Sequence, residues 1–265
     1  MTTDLDTATF TAFRDLIYQV SGITLADNKR VLVRSRIGKR MRMLGLIEPV
    51  EYLHRVERDH SGVEIGELID AISTNVTSFF REPRHFELLG GVLRDRSPGG
   101  RLRIWSAASS TGEEPYSIAM TLCDAGADRW GDARILASDL NQQVLETAMA
   151  GRYADEVVSA LEQSYRRRFF QRHGDAWRVD DRLRQLITFR RLNLSKPPFP
   201  MRGPFDMIFC RNVMIYFDRQ VRSRLLQALV QLLAPDGLLF VGHAESLTGF
   251  DLPLTTVQPT VYRRR

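Results

Sequence analysis

Hydrophobic positions repeat at helical spacing through the first part of the chain. Apolar stripes lie in residues 10–20, 33–44, 52–56 and 65–72, with glycines or a Ser-Gly pair between them. Because apolar residues three and four positions apart fall on one face of a helix, each stripe predicts an amphipathic helix. Residues 1–72 are therefore predicted to form a small all-helical domain, and residues 73–90 a junction.

The pattern changes near residue 100, where short apolar runs alternate with amphipathic segments. Strands that alternate with helices are typical of a mostly parallel, doubly wound α/β sheet, so residues 91–265 are predicted to form a second domain. The predicted strands lie at residues 102–105, 134–138, 187–191, 207–210 and 238–241, and helices begin at residues 113, 142 and 221.

Composition is that of an ordinary globular protein. The 265 residues are 43% hydrophobic and 26% charged, which provides enough apolar material for a core. No apolar run approaches the ~20 residues that span a bilayer, and the first residues do not resemble a signal peptide, so we expect a cytoplasmic protein without membrane insertion. Cys123 and Cys210 stand far apart without metal-ligand spacing, so neither a disulfide nor a metal site is predicted.

Positive charge is concentrated on one predicted helix. The net charge is +5, and residues 29–42 include seven basic residues and no acidic one. With its apolar stripe docked, this helix would present a positive flank that attracts nucleic acid, an anionic membrane or an acidic protein surface. A solvated face with no partner is the alternative.

Small residues link the first predicted strand of the sheet to its helix. Residues 106–112 read SAASSTG, and Glu113 and Glu114 open the helix. Small side chains let a ligand approach the backbone, whereas two carboxylates repel a pyrophosphate and suit a cationic group. The absence of a G-x-G-x-x-G pattern disfavours a nicotinamide cofactor. Alternatively, the two carboxylates only complement the helix dipole.

Polar side chains follow several of the predicted strands. Ligands of doubly wound sheets bind at the carboxyl ends of strands, so these side chains are predicted to share one site. Asp139 can accept hydrogen bonds from both hydroxyls of a ribose, or can instead cap the next helix near Asn141. A ribose at Asp139 and a cationic amino acid group near the small-residue turn describe S-adenosylmethionine. The strand-end residues are Glu114, Asp139, Asn193, Arg211 and Asn212.

The junction mixes polar and aromatic residues. Asn75, Thr77 and Arg81 can reach toward one pocket between the two domains, which is a common place for ligand sites. The alternative gives Asn75 and Thr77 turn or capping roles and places Phe79 and Phe80 in the core.

Five motifs occur in order along the chain: TNVTSFFREPRHF, RIWSAASSTGEEPYSIAM, ASDLNQQVLETA, DMIFCRNVMIYFD and PDGLLFVGHAESL. From about residue 22 to the end, the chain resembles the chemotaxis receptor methyltransferase family, CheR. The resemblance implies an S-adenosylmethionine-dependent protein-glutamate O-methyltransferase whose second product is S-adenosylhomocysteine. It also implies a class I methyltransferase fold with a small antiparallel insertion at about residues 168–192, preceded by the helical domain.

The resemblance further implies roles for individual residues. Tyr216 matches the tyrosine placed near the transferred methyl group, and on chemical grounds we expect Arg81 and Tyr216 to orient the substrate carboxylate by charge and hydrogen bonding. The acidic, helical methylation region of chemoreceptors would bind at Arg30, Arg34, Arg36, Lys39 and Arg40. The implied cofactor contacts are Asn75, Thr77, Arg81, Glu114, Asp139, Asn193, Leu194, Arg211 and Asn212. We expect a monomer.

One segment departs from the family pattern. The sequence QRHGDAWR, between Phe170 and Val179, is shorter than the matching segment of members that grip a receptor's C-terminal peptide. The enzyme is therefore predicted to act without such a peptide tether.

Two other functions stay open. The pI of about 9.5 and the arginine clusters at residues 166–168 and 263–265 favour a nucleic acid methyltransferase. However, aromatic residues do not interleave with the basic helix, so nucleic acid binding is not expected. A non-catalytic protein that binds the cofactor is the second alternative, which is disfavoured because every matched site position is filled.

Overall fold

Four helices form the N-terminal part of the protein. The computed structural model describes residues 4–96, 100–126 and 132–265. The apolar stripes of the helices meet in one buried cluster that includes Phe13, Ile37 and Leu68, as their helical spacing predicts. The helices are α1 (Thr7–Ser21), α2 (Arg30–Met43), α3 (Pro49–Arg58) and α4 (Val63–Ile72), and a 3₁₀ turn, Asp27–Lys29, precedes α2.

Local signals set both ends of α1. The Asp6 carboxylate accepts a hydrogen bond from the Thr9 N–H and caps the first turn. At the other end Gly22 adopts the left-handed conformation, with φ of 74°, and its N–H donates to the Tyr18 carbonyl. Glycine suits this position because it has no Cβ to clash. The chain then turns toward the second domain.

Strands alternate with helices in the second domain. The elements are α5 (Arg84–Asp95), β1 (Arg101–Ser106), α6 (Glu113–Asp124), β2 (Asp132–Asp139), α7 (Gln142–Ala150), β3 (Arg152–Ala154), α8 (Asp155–Ser159), α9 (Gln163–Phe169), β4 (Phe170–His173), β5 (Ala176–Val179), α10 (Asp181–Gln185), β6 (Ile187–Arg191), β7 (Phe205–Cys210), α11 (Arg219–Leu232), β8 (Leu233–Val241), β9 (Leu254–Gln258) and β10 (Val261–Arg264). Another 3₁₀ turn, Met214–Tyr216, lies between β7 and α11.

Within the described ranges, seven strands form the main sheet in the order β6-β2-β1-β7-β8-β10-β9. Pairing is parallel from β6 through β8 and antiparallel from β8 to β9. Buried clusters cover both faces, with Ile104 and Phe209 on one side and Trp105 and Ile208 on the other. This confirms the predicted doubly wound, mostly parallel sheet.

A separate antiparallel sheet has the order β3-β5-β4. It overlaps the insertion expected at residues 168–192 only in part, because β3 lies upstream of that range. In addition, β6 falls inside the expected range but pairs with β2 in the main sheet. A strand as short as β3 has too few residues to show an alternating pattern, so periodicity does not reveal it.

Two features of the main sheet differ from the sequence expectation. The strand predicted at residues 238–241 begins earlier, at Leu233, and its Pro-Asp-Gly sequence at residues 235–237, typical of a turn, lies within β8 where the register against β7 shifts and Asp236 has φ of 60°. Bulges and turns use the same residue types, which explains the misreading. The β9–β10 hairpin was not predicted, since most residues of β9 are exposed and give no apolar run.

Candidate functional site

A cleft of about 240 Å³ lies between the helical domain and the carboxyl ends of β1, β2, β6 and β7. These four strands are parallel neighbours, so their carboxyl ends meet at one edge of the sheet. Every residue that the sequence assigns to cofactor contact lines this cleft, and so does Tyr216. These residues are Asn75, Thr77, Arg81, Glu114, Asp139, Asn193, Leu194, Arg211 and Asn212.

Small side chains form most of the turn between β1 and α6. Ala107, Ala108 and Ser110 line the cleft. Gly112 has φ of 101°, and a Cβ there would lie 2.8 Å from the Tyr153 hydroxyl, so a larger residue would push the turn outward. The turn therefore leaves its backbone open to a ligand.

Asp139 ends β2 with its carboxylate held by two backbone groups. Oδ2 accepts a hydrogen bond from the Ser110 N–H at 2.8 Å, and Oδ1 accepts one from the Asn141 N–H at 3.0 Å. Burial raises the pKa of Asp139. The side chain of Asn141 itself caps α7, by accepting from the Val144 N–H. Each Asp139 oxygen retains a further lone pair, so the carboxylate can accept two hydroxyl groups of a ribose.

Arg211 lies buried between two carboxylates. Its Nη1 is 3.0 Å from Glu114 Oε2, and its Nη2 is 3.0 Å from Glu82 Oε2. The Ser106 hydroxyl donates to the second oxygen of Glu114 at 2.7 Å, and burial raises the pKa of Glu114. The Arg211 guanidinium favours the ionised form of both carboxylates, and with both ionised the cluster carries one net negative charge. This cluster can therefore attract a cationic group such as the ammonium of an amino acid.

Strained backbone surrounds Arg81. Phe80 and Glu82, on either side of it, have φ of 52° and 58°, and such angles cost roughly 1–3 kcal/mol each in non-glycine residues. The Arg81 carbonyl accepts a hydrogen bond from Arg211 at 2.6 Å, and its guanidinium donates to the Val76 carbonyl at 2.9 Å. These contacts hold Arg81 in the cleft wall against the strain.

Glu245 supports the site from outside the lining of the cleft, and sequence analysis missed it. It is 1% exposed, and it follows β8 as the other polar residues follow their strands. The rule that polar groups just past strand ends share a site would have found it. Its two oxygens accept four backbone N–H hydrogen bonds of 2.7–2.8 Å, from Asn212, Val213, Met214 and Gly242. This carboxylate therefore shapes the loop that carries Arg211, Asn212 and Tyr216.

Glu82 also escaped sequence analysis, and it lies near two histidines. The ligand atoms of Glu82, His85 and His243 lie within 4.8 Å of one another. Burial lowers the pKa of His85 to about 4, so its ring is neutral at pH 7. However, Glu82 already pairs with the Arg211 guanidinium, which supplies the positive charge at this carboxylate. The group is therefore best described as part of the Arg211 cluster.

The basic helix α2 turns part of its charge inward. Arg40 pairs with the buried Glu64 at 2.8 Å, and Arg36 donates to two backbone oxygens at the end of α4. Both arginines thus tie α2 to its neighbour and are half-buried. The flank is accordingly less positive than the sequence alone implies. The other residues assigned to substrate binding, Arg30, Arg34 and Lys39, are exposed or partly exposed.

Family models match both parts of the chain. The CheR methyltransferase SAM-binding domain matches residues 75–263, and the CheR methyltransferase all-alpha domain matches residues 8–73. The chain belongs to the CheR methyltransferase family. As a CheR member it is an S-adenosylmethionine-dependent methyltransferase of the class I fold, which confirms the enzyme class and the methyl donor predicted from the motifs. The Asp139 carboxylate and the negative Arg211 cluster suit the ribose and the amino acid group of this donor.

CheR relatives resemble the chain over nearly its whole length. The chemotaxis protein methyltransferase of Escherichia coli (strain K12) is 44% identical, covering 97% of this chain and 91% of its own. Chemotaxis protein methyltransferase 2 of Pseudomonas aeruginosa is 42% identical, with coverage of 96% and 91%. Among solved structures, a glycopeptide N-methyltransferase complexed with sinefungin aligns remotely, at 16% identity and a TM-score of 0.39, over 71% of this chain and 59% of its own. In the described part of the CheR chain, no helix is long and apolar enough to cross a membrane.

Proposed function

We propose that the enzyme transfers the methyl group of S-adenosylmethionine to glutamate side chains of chemoreceptors, giving glutamate methyl esters and S-adenosylhomocysteine. One observation carries this proposal: Arg81 and Tyr216 line the same cleft as Glu114 and Asp139. The two carboxylates suit a cationic donor, while the arginine and the tyrosine suit an anionic acceptor. The relatives are named chemotaxis protein methyltransferases, which supports a chemoreceptor as the acceptor.

In this proposal the residues of the cleft bind and align the two reactants. Asp139 holds the ribose hydroxyls, and the Arg211 cluster holds the amino acid end of the donor. S-adenosylmethionine supplies a methyl group that is already activated by the sulfonium. A glutamate with a pKa of about 4.3 is ionised at pH 7, so no general base is needed. Arg81 and Tyr216 orient its carboxylate by charge and hydrogen bonding. Further donor contacts come from Asn75, Thr77, Asn193, Leu194 and Asn212.

Transfer of labelled methyl groups to receptor-rich membranes tests this function. We expect label that mild alkali releases as methanol, because methyl esters hydrolyse under these conditions. At saturating donor, Arg81→Ala should lower kcat about 100-fold and Tyr216→Phe about tenfold, since both lose groups that align the acceptor.

Arg84→Ala is the matched control for the arginine, because Arg84 is exposed at the start of α5. Label that resists alkali would instead indicate N-methylation or a nucleic acid acceptor. Cofactor binding without any transfer would favour the non-catalytic alternative. Unchanged turnover in both site variants would remove Arg81 and Tyr216 from the mechanism.

We propose that the α2 side of the helical domain binds the acidic methylation helix of the receptor. Arg30, Arg34 and Lys39 carry the outward charge of this surface, whereas Arg36 and Arg40 help to hold α2 against α4. Reversing the charge of Arg30 and Lys39 together should raise KM for receptor about tenfold at low salt, and less at high salt, because exposed charges are screened. Donor affinity should not change, and Arg202→Glu, an exposed reversal on the other domain, should leave KM unaltered. An unchanged KM in the double variant would exclude this surface.

We also propose that the enzyme works without a receptor C-terminal tether. The β4–β5 hairpin leaves a short edge, since its strands have four residues each. Calorimetry with a receptor C-terminal peptide is expected to show no binding. A dissociation constant in the micromolar range would contradict the proposal.

The domain boundaries at residues 72 and 90 remain predictions from the sequence. The same holds for the monomeric state, the cytoplasmic location and the absence of nucleic acid binding.

A further inference from the structure

The turn that follows α1, residues 22–24, contacts the segment that carries Tyr216. The Thr24 N–H donates to the Tyr216 carbonyl at 2.8 Å. Ile23 forms an antiparallel bridge with Phe217. The Tyr18 hydroxyl donates to the Asp218 carboxylate at 2.5 Å. The helical domain thus contacts three successive residues of the second domain, beginning with Tyr216.

The same end of α1 also contacts the loop after β6. The Asn193 side-chain amide donates to the Val20 carbonyl at 2.6 Å. Ser195 packs against Gly22 and donates its hydroxyl to Asn193 Oδ1 at 2.8 Å. The α1 turn therefore lies between two loops of the cleft.

The Tyr216 segment is also held from within the second domain, since the Tyr216 N–H donates to the Val213 carbonyl and the Phe217 N–H to the Met214 carbonyl, both at 3.1 Å. Before it, Met214 is held through its N–H by Glu245. Between them, Ile215 is 51% exposed and contributes little packing. The α1 turn adds the hydrogen bond to the Tyr216 carbonyl, so the position of Tyr216 depends on contacts from both domains.

We propose that the α1 turn, residues 22–24, is a positioning element for Tyr216 and that the helical domain thereby takes part in methyl transfer itself. This inference rests on the proposed role of Tyr216 in orienting the acceptor. A displacement of about 1 Å at a group that aligns reactants can lower a rate about 100-fold, so a turn that holds the Tyr216 backbone directly affects kcat.

Gly22 makes the proposal testable with a matched control. A Cβ at Gly22 would lie 2.5 Å from Ser195 Cβ and 3.5 Å from Val221, so alanine would push the turn off the second domain. Gly62 has nearly the same conformation, φ of 76° against 74°, but a Cβ there meets nothing within 4 Å. Both alanine variants carry the same backbone strain, but only Gly22→Ala disturbs the contact between the α1 turn and the second domain.

The experiment measures kcat for methyl transfer at saturating donor and receptor in a double-mutant cycle with Tyr216→Phe. We expect Gly22→Ala to lower kcat at least about tenfold and Gly62→Ala less than about twofold. In the Tyr216→Phe background the effect of Gly22→Ala should fall below about threefold, because the phenolic hydroxyl that it misplaces is already gone. An equal loss in both backgrounds, or equal losses for the two glycines, would overturn the inference.

A second variant covers the case in which Gly22→Ala does not fold. Tyr18→Phe removes one hydrogen bond at a side chain that is 37% exposed, so the core is kept. It should lower kcat about threefold in the wild-type background and leave it unchanged beside Tyr216→Phe. Equal losses in both backgrounds would again contradict the inference. If instead the unmodified enzyme forms no alkali-labile ester, the proposed function fails. If the ester forms but Tyr216→Phe alone has no effect, the role of Tyr216 is overturned, and with it this inference, while the proposed function stands.

Discussion

Asp139→Asn is expected to raise the dissociation constant for S-adenosylmethionine roughly 100-fold, the equivalent of about 3 kcal/mol lost from hydrogen bonds to a charged group. The carboxylate accepts from the N–H groups of Ser110 and Asn141 while, in our proposal, it also accepts two ribose hydroxyls. An amide has a single acceptor oxygen, so its NH₂ group would face either a backbone N–H or the ribose. Calorimetric titration with the donor measures the loss.

Asp70→Asn is the matched control for this variant. Asp70 is also a carboxylate whose pKa is raised by burial, and it accepts from the Gln143 N–H at the same end of α7. It belongs to α4 and stands outside the lining of the cleft. Its replacement should leave donor affinity within about twofold, a change below 0.5 kcal/mol. Equal affinities for the two variants would remove Asp139 from the ribose site.

Glu245→Gln is expected to lower the melting temperature by about 5–10 °C, the equivalent of about 2–4 kcal/mol, and to weaken donor binding about tenfold. The Glu245 oxygens accept four backbone N–H groups. Glutamine offers one oxygen, and its NH₂ would face N–H donors that remain buried without acceptors. The loop with Arg211 and Asn212 should then shift. Differential scanning calorimetry and donor titration measure the two effects.

Glu113→Gln is the control for Glu245→Gln, because it tests whether replacing any buried carboxylate near the cleft lowers stability and donor affinity. Glu113 is 5% exposed, and it accepts a hydrogen bond from the Thr111 hydroxyl, which an amide oxygen can replace. This variant should keep its donor affinity and nearly its melting temperature. If Glu245→Gln behaves in the same way, Glu245 does not shape the loop.

Periodicity and turn chemistry were sufficient to predict most of the fold. The helical stripes and the parallel strands require only neighbouring residues, so they can be read from the chain in order. The bulge within β8 and the strand β3 could not be recognised, because each depends on pairing with a distant strand. The inward orientation of Arg36 and Arg40 could not be predicted either, because their partners lie on another helix, α4.

The location of the cleft was predictable, whereas its internal contacts were not. Polar residues after parallel strands had to meet at one edge, which brought Glu114, Asp139 and Arg211 together. Glu82 and Glu245 act by accepting hydrogen bonds from residues far away in sequence. A motif shows that a carboxylate is present, but it does not show which N–H groups will point at it.

The contacts of Glu245 affect which positions of the loop after β7 tolerate substitution. They hold the loop after β7 through main-chain N–H groups, which every residue except proline provides. The exposed side chain of Ile215, beside Tyr216, therefore contributes little to the shape of the loop. Substitutions at this position should leave the donor site unchanged.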